Sequence, residues 1–256
     1  MDLERSSVLY RHPEWYDQLR SDPGHATAKR CEELIGLHGP AGARTVLDFG
    51  CGTGQDLAYL AERFEVVGVD LQPRMIAYAR QVRPHLDLRV GDMRGFRLGR
   101  PVDAVICLGN ALAYLHSNAE LRAAFATFAA HARPGTVLIV VTAVAATSVA
   151  APVAAPRPFR VDTADLRAEV TVSYEWGLRT QIETMRRHWV FGDGRQAQDC
   201  VRRRVIFPRE LELYLSLAGF ELVELFDDDA ARRGELTGPV ATLAARCTGE
   251  HQRLPV

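Results

Sequence analysis

The sequence predicts an α/β fold: a doubly wound, mostly parallel seven-stranded sheet with helices on both faces, carrying a small antiparallel β insertion. Three observations predict it. Short apolar runs alternate with helical periodicity over the first 143 residues, the order that gives a parallel sheet with helical crossovers. Those runs are mostly uninterrupted, as strands buried on both faces are. Beyond residue 160 the pattern changes to polar and β-branched or aromatic residues in alternation, with a Gly192-Asp193-Gly194 turn, which reads as antiparallel hairpins.

The elements follow in order. Pro13 opens a short helix, PEWYDQL, and a second runs from Ala26 to Leu37 before the Gly39-Pro40 break. Strand TVLDFG leads to helix QDLAYLAERF, strand EVVGVDL, helix PRMIAYARQV and strand LDLRVGD. Strand VDAVICLG, helix AELRAAFATFAAHA and strand TVLIVVTA complete the first half. Right-handed crossovers between such strands generate the doubly wound sheet. The Pro- and Ala-rich stretch from Ala150 to Pro158 reads as a linker or lid. Segments AEVTVSYEW, TQIETMRRHWVF and AQDCVRRRVIF are the hairpin strands, and Trp176 and Trp189 are expected on their packed face or at a subunit contact. Helix PRELELYLSLAGF starts at Pro208 and stops at Gly219. Strands ELVELF and VATLAAR then finish the main sheet around a polar loop that holds Asp227, Asp228 and Asp229. The expected division is an N-terminal helical cap over residues 1–40, a cofactor domain over 41–150 and 207–247, and a lid or oligomerisation insertion over 151–206.

With 256 residues, 47% apolar and 25% charged, the chain has the composition of a globular protein with a self-sufficient core. A formal net charge of -1 excludes a domain-wide basic surface, so nucleic acid is not the expected partner. The run Arg202-Arg203-Arg204 reads as a solvated face. Five cysteines lie scattered without a C-x-x-C pair, so neither a zinc site nor a disulfide framework is indicated and reducing cytoplasm is the expected compartment. A charged, aromatic N-terminus speaks against a signal peptide, and the one long apolar run, from Thr136 to Ala151, is too short for a membrane span and reads as a buried strand with its exit loop.

The decisive stretch is Val46-Leu47-Asp48-Phe49-Gly50-Cys51-Gly52-Thr53-Gly54, a strand running into a three-glycine turn and then a helix. Glycine belongs there because the turn needs φ values that a side chain penalises, and because a cofactor can touch the backbone only where no Cβ intervenes. The next strand, Val66-Val67-Gly68-Val69-Asp70, ends on a carboxylate, at the strand end where open α/β sheets hold ligands. That acid can accept hydrogen bonds from two ribose hydroxyls, and its distance from Gly54 is close to dinucleotide-site spacing. At this point a nicotinamide or flavin enzyme is a genuine rival.

VLDFGCGTG, GVDLQPRM and VGDMRGF together resemble the first three motifs of the class I S-adenosylmethionine-dependent methyltransferases, and the likeness extends through the first 143 residues. The resemblance implies a Rossmann-like sheet and S-adenosyl-L-methionine as cofactor, with S-adenosyl-L-homocysteine as product. It further implies that Asp48 belongs to the cofactor site by closing the first strand's approach to the glycine turn, that the loop of Gly50, Cys51, Gly52 and Gly54 contacts the amino-acid end of the cofactor, and that Asp70 holds the ribose. Leu71 and Met75 would flank the adenine, Asp92 would take its amino group with Met93 packed on the ring, and Leu108 to Asn110 would line the site near the sulfonium. The phrase GDMRGFRLGRPVDAVICLGNALAYL, the FxxHxRPG helix exit and the LYRHPEWYD opening are similar to the small-molecule branch, especially N-methyltransferases that dimethylate deoxyamino sugars in antibiotic biosynthesis. Such relatives place an aromatic N-terminal segment over the cofactor and an antiparallel sheet over the substrate.

Methyl transfer from a sulfonium is an in-line displacement in which the protein mainly aligns the partners and excludes water. An amine acceptor needs only to arrive unprotonated, whereas a hydroxyl needs a positioned base. Tyr10 and Tyr16 are the candidates to close over the sulfonium. Asn110, Tyr114 and His188 are candidate acceptor contacts, and His116 is a candidate proton relay. No metal cluster stands out, so no metal is expected. An N-methyltransferase acting on a small-molecule amine is therefore expected, with an amino sugar or antibiotic intermediate as the acceptor. An O-methyltransferase using His116 or His188 as base and a non-catalytic cofactor-binding subunit are the alternatives. A nicotinamide oxidoreductase fits less well, because Lys29 is the sole lysine and no Tyr-Lys hydride relay can be built. The aromatic hairpin strands need something to pack against, which points to a homo-oligomer.

Overall fold

The computed structural model describes residues 7–144, 157–227, 236 and 238–249. The described chain opens with two short helices, α1 (Val8–Arg11) and α2 (Pro13–Leu19), followed by α3 (Ala26–His38). Then come β1 (Thr45–Phe49), α4 (Gln55–Leu60), β2 (Glu65–Asp70), α5 (Pro73–Val82), β3 (Asp87–Val90) and β4 (Ala104–Cys107). A 3₁₀ turn at Ala111–Tyr114 leads to α6 (Asn118–Ala130) and β5 (Val137–Ala143). Next are β6 (Arg157–Asp162), β7 (Arg167–Gly177), β8 (Ile182–Phe191) and β9 (Gln196–Arg204). The last elements are α7 (Pro208–Leu217), β10 (Phe220–Phe226) and β11 (Val240–Cys247).

The main sheet has seven strands in the order β10-β11-β5-β4-β1-β2-β3. Neighbours from β5 to β3 run parallel, and β11 runs antiparallel to both β10 and β5. This is the Rossmann-like, mostly parallel sheet that the sequence predicts. The apolar runs read as they do because alternate residues of one strand enter different cores. Leu47, Phe49, Val105, Cys107, Leu138 and Val140 pack with Phe125 and Phe128 of α6 and Leu215 of α7. Val46, Ala104, Ile106, Val137 and Ile139 pack on the other face with Leu34 of α3, Leu57 of α4 and Ile76 of α5. Gly68 lies where β2 passes under α4: a Cβ there would come within 2.6 Å of Leu57 Cδ1 and Leu88 Cδ2.

A second sheet of four antiparallel strands, β6-β7-β8-β9, stands apart from the first. Its inner face joins Val161, Leu166, Ala168, Val170, Val172 and Trp189 to Val8, Leu9, Trp15 and Leu19 of the N-terminal helices. Trp189 is accordingly a packed residue, one of the two roles the sequence leaves open for it.

Several expectations need correction. Arg157 and Pro158, at the end of the stretch read as linker, belong to β6; Pro158 is tolerated because β6 is an edge strand. Residues 150–156 of that stretch lie outside the described residues. The helix expected over Gln55–Phe64 ends at Leu60 and continues as turns that deliver Phe64 to β2. The arginine run is a solvated face only at exposed Arg202: Arg204 is buried against Glu210 of α7 at 2.9 Å, and Arg203 pairs with buried Glu183 at 3.1 Å. Asp227 is buried and accepts the Gly238 N–H at 2.7 Å, while Asp228 and Asp229 lie outside the described residues. Among the described residues, no helix is long and apolar enough to cross a membrane.

Candidate active site

A cavity of about 430 Å³ lies at the carboxyl ends of β1, β2 and β4 and is covered by the N-terminal helices. The glycine turn forms its floor. Gly50, Gly52 and Gly54 have φ of +82°, +56° and +80°, in the left-handed region that glycine enters without steric cost. The turn is tied to the neighbouring strand, because the Gly50 and Cys51 N–H groups both donate to the Val69 carbonyl, at 2.7 and 3.2 Å. It is tied to the acid at the end of β2 as well: Asp70 Oδ2 accepts the Gly52 N–H at 2.9 Å and Oδ1 accepts the Gln72 N–H at 2.8 Å. Burial raises the Asp70 pKa above the ordinary carboxylate value, while these two amides oppose the shift.

Asp48, under the turn, is 3% exposed, and its Oδ1 has no hydrogen-bond partner. Burial pushes its carboxyl well above the ordinary range, and the charges of Asp56 and Asp70 add to the effect. At the end of β3, both oxygens of Asp92 are held by the Arg94 guanidinium at 2.5 to 3.0 Å. Arg94 is itself tied to Glu120 at 2.7 Å. The Arg94 hydrogen bond lowers the Asp92 pKa. Glu120 belongs to a capping box, accepting the Ser117 N–H while Ser117 Oγ accepts the Glu120 N–H.

Three tyrosines meet at the roof. The Tyr10 hydroxyl donates to the Tyr114 hydroxyl at 2.6 Å, and the Tyr10 ring lies 5.9 Å from Tyr16 and 6.0 Å from Tyr114. Burial raises the Tyr10 pKa well above the ordinary phenol value and pushes Tyr16 up to about 12. Helix α2 is fixed over the glycine turn by Asp17, which accepts from Gln55 Nε2 at 2.7 Å and from Arg83 Nη2 at 3.2 Å.

Of the residues expected from sequence, Asp48, Gly50, Cys51, Gly52, Asp70, Leu71, Met75, Asp92, Met93, Leu108, Tyr10, Tyr16 and Tyr114 line this one cavity. Gly54 lies at the N-cap of α4 with Leu86 3.1 Å from its missing Cβ, so it shapes the turn without being among the lining residues. Asn110 adopts φ +65° just behind the wall, its Oδ1 buried and unpartnered. His116 is turned away, its Nε2 3.0 Å from the Arg202 carbonyl oxygen. His188 is also elsewhere: β8 alternates, so with Arg187 and Trp189 buried inward it faces outward, against Gln196 at 3.1 Å. The cavity also holds Arg20, Asp56 and Glu120, which the sequence reading did not single out. The signals were present: Arg20 follows Tyr16 at helical i,i+4 spacing, and Ser117-x-x-Glu120 is a capping pattern. Among the described residues, no group of three or more His, Cys, Asp or Glu is arranged to hold a metal.

Residues 46–135 match the family model described as a methyltransferase domain. The chain is 40% identical over 131 residues to a dTDP-3-amino-3,6-dideoxy-alpha-D-glucopyranose N,N-dimethyltransferase of Streptomyces fradiae, covering 50% of this chain and 51% of that one. It is 37% identical over 133 residues to a dTDP-3-amino-3,4,6-trideoxy-alpha-D-glucopyranose N,N-dimethyltransferase of Streptomyces venezuelae, covering 50% and 56%. The matches thus span about half the length of these relatives. Among solved structures, the SAM-bound amino pentose methyltransferase of Micromonospora echinaspora calicheamicin biosynthesis superposes with a TM-score of 0.73 at 28% identity, over 90% of this chain and 93% of that one. Residues 46–135 thus match the methyltransferase domain model, and the Rossmann-like fold around them is similar, over most of this chain, to that of the amino pentose methyltransferase.

Proposed function

We propose that the chain is an S-adenosyl-L-methionine-dependent N-methyltransferase that acts on the amine of a nucleotide-linked deoxyamino sugar and releases S-adenosyl-L-homocysteine. The observation that carries this reading is one cavity walled by the glycine turn, the Asp70 carboxylate and three tyrosines. The residues fit the cofactor. Gly50, Gly52 and Asp48 would face its amino-acid end, where the unpartnered Asp48 Oδ1 suits an ammonium. Asp70 spends one lone pair of each oxygen on a backbone amide and keeps others for ribose hydroxyls. Leu71, Met75 and Met93 would enclose the adenine, with Asp92 beside it. Bound there, the cofactor supplies a methyl group made electrophilic by a sulfonium.

The protein's own part is alignment and exclusion of water. The Tyr10 and Tyr16 hydroxyls are held protonated by burial, so they act as hydrogen-bonding and ring-face partners rather than as bases. The Tyr10 and Tyr114 hydroxyls share one hydrogen bond, so the one that donates keeps lone pairs to accept an amine N–H and the other keeps a proton to donate. The acceptor amine then needs only to arrive as the free base. The proposal uses neither His116 nor His188, since their rings are engaged outside the cavity.

The names of the relatives support a nucleotide-linked amino sugar as acceptor class. The division into cap, cofactor domain and lid is part of the proposal, supported by the separate second sheet. A homo-oligomer is also proposed, supported by exposed Phe159 and Leu178 on the lid sheet and its turn; light scattering would show a mass above one chain. Five unpaired cysteines support a reducing compartment such as the cytoplasm. The central test is incubation with S-adenosyl-L-methionine and a set of nucleotide-linked amino sugars and their hydroxyl counterparts, read by mass spectrometry. Methylation of the amines alone is expected, and methylation of the hydroxyl compounds would overturn the reading.

A further inference from the structure

We infer that Arg187 and Asp199, on the lid sheet, are positioning residues that hold Tyr10 over the cavity. This rests on the reading that the cavity takes S-adenosyl-L-methionine. Helix α1, which carries Tyr10, is a single turn of four residues, too short to persist without outside support. Its N-cap, Ser7, makes no side-chain cap of its own. The support comes from far along the chain: the Val8 N–H donates to Asp199 Oδ2 at 2.7 Å.

Asp199 is fully engaged. It also accepts from Arg187 Nε and Nη2, both at 2.7 Å, and from Trp189 Nε1 at 3.3 Å. Arg187 reaches back to Ser7 Oγ at 3.1 Å, and its guanidinium lies 5.3 Å from the Trp189 ring centre. The two partners face each other across β8 and β9, and their side chains are 9% and 0% exposed. Burying an ion pair is expensive unless every donor and acceptor is matched, and apolar residues hold chain segments together at lower cost. What a bidentate, matched pair adds is a fixed orientation. Here that orientation is passed to α1, and Val8 is locked beside Val161, Val170 and Trp189. Two residues on, the Tyr10 hydroxyl lies 2.6 Å from Tyr114. The cap over the cofactor and the sheet over the acceptor are thereby one lid, packed through its apolar cluster and held in register at Val8 by this ion pair.

The test is a double-mutant cycle on ligand affinity in the full chain, using Asp199→Ala, Tyr10→Ala and the double variant, with Asp199→Asn as the conservative change. Affinities for S-adenosyl-L-methionine and S-adenosyl-L-homocysteine come from calorimetry, and amide exchange over residues 8–19 is followed without ligand. Asp199→Ala is expected to weaken the sulfonium ligand roughly tenfold or more, as loss of one charge-assisted hydrogen bond would. It should weaken the product less, because its thioether sulfur carries no charge and aromatic faces favour the sulfonium. In the Tyr10→Ala background the same change should cost no more than about twofold, within the error of independent effects. Asp199→Asn, which keeps an acceptor for the Val8 amide, should recover part of the loss. Equal losses for both ligands, or losses that add with Tyr10→Ala, would overturn the proposal. If Asp199→Ala does not fold, Asp199→Asn takes its place in the cycle. If the wild-type chain binds neither ligand, the functional reading fails, and exchange over residues 8–19 decides the positioning role. Faster exchange there in the Asp199 variant, with the main sheet unchanged, supports it, and unchanged exchange overturns it.

Discussion

At Asp48 the chain holds a carboxyl where a carboxylate is costly: it is buried, with one oxygen unpartnered and Asp56 and Asp70 adding like charge. A cationic ammonium beside it would favour the ionised form, so binding releases a proton wherever the free protein holds Asp48 protonated. Affinity for S-adenosyl-L-homocysteine should therefore rise with pH until the raised Asp48 pKa is passed and then level off. Calorimetry in buffers of different ionisation enthalpy would detect the proton, and Asp48→Asn should abolish its release. Stability runs the other way. A group whose folded pKa is raised contributes stability below its unfolded value of about 3.9 and loses it as pH rises through the folded value. Asp48→Asn should therefore stabilise the ligand-free protein near neutrality while weakening the cofactor. Gly50 is constrained differently: its φ is +82° and a Cβ would fall 2.3 Å from Ala111 Cβ. Gly50→Ala combines left-handed strain with overlap against the 3₁₀ turn, and should cost about 2–4 kcal/mol in urea unfolding.

Among the elements, α6 shows how a motif read for function can serve structure. The FxxHxRPG exit places His131 at its C-cap, where Nδ1 lies 2.8 Å from the Thr127 carbonyl and Nε2 accepts the Leu98 N–H at 2.8 Å. Burial holds its pKa below the ordinary imidazole value, with the Thr127 carbonyl opposing. The unfolded chain takes up a proton near pH 6.5 that the folded ring resists, so stability is present above that value and lost as pH falls toward the depressed folded pKa. The urea midpoint should drop between pH 7.5 and 5.5. His131→Ala should cost about 1–3 kcal/mol at the higher pH and flatten that dependence. Most elements were legible because local chemistry writes them: Pro73 and Pro208 start helices, and uninterrupted runs such as Val137–Val141 mark strands covered on both faces. What escaped was set by distant partners. Pro158 reads as a breaker until β6 is known to be an edge, and Arg204 reads as solvated until Glu210 of α7 covers it. That the glycine turn, Asp70 and Asp92 would meet was legible for the same reason, since they stand at three successive strand ends and line one cavity. His188 was misplaced because strand parity depends on which face Trp189 buries, which the sequence around it does not state.

For the whole molecule, the cavity is the junction of three parts. The main sheet supplies the glycine turn and Asp70, the N-terminal helices supply Tyr10, Tyr16 and Arg20, and the second sheet holds those helices down through Val8 and Trp15. A ligand in that junction is contacted by segments far apart in sequence, from Tyr10 to Glu120, an array the unfolded chain lacks. It therefore binds the folded state alone, and stabilisation follows mass action. At a free concentration one hundred times its dissociation constant, S-adenosyl-L-homocysteine should add about 2.7 kcal/mol. For a chain of this length each kcal/mol moves the melting temperature by about 2–4 °C, so scanning fluorimetry should show a rise of about 5–10 °C. NADH, given the same concentration range, should produce no shift, because the cavity is closed at its roof by the tyrosine cluster. A shift with NADH and none with S-adenosyl-L-homocysteine would return the glycine turn and Asp70 to the dinucleotide reading that their spacing alone permits.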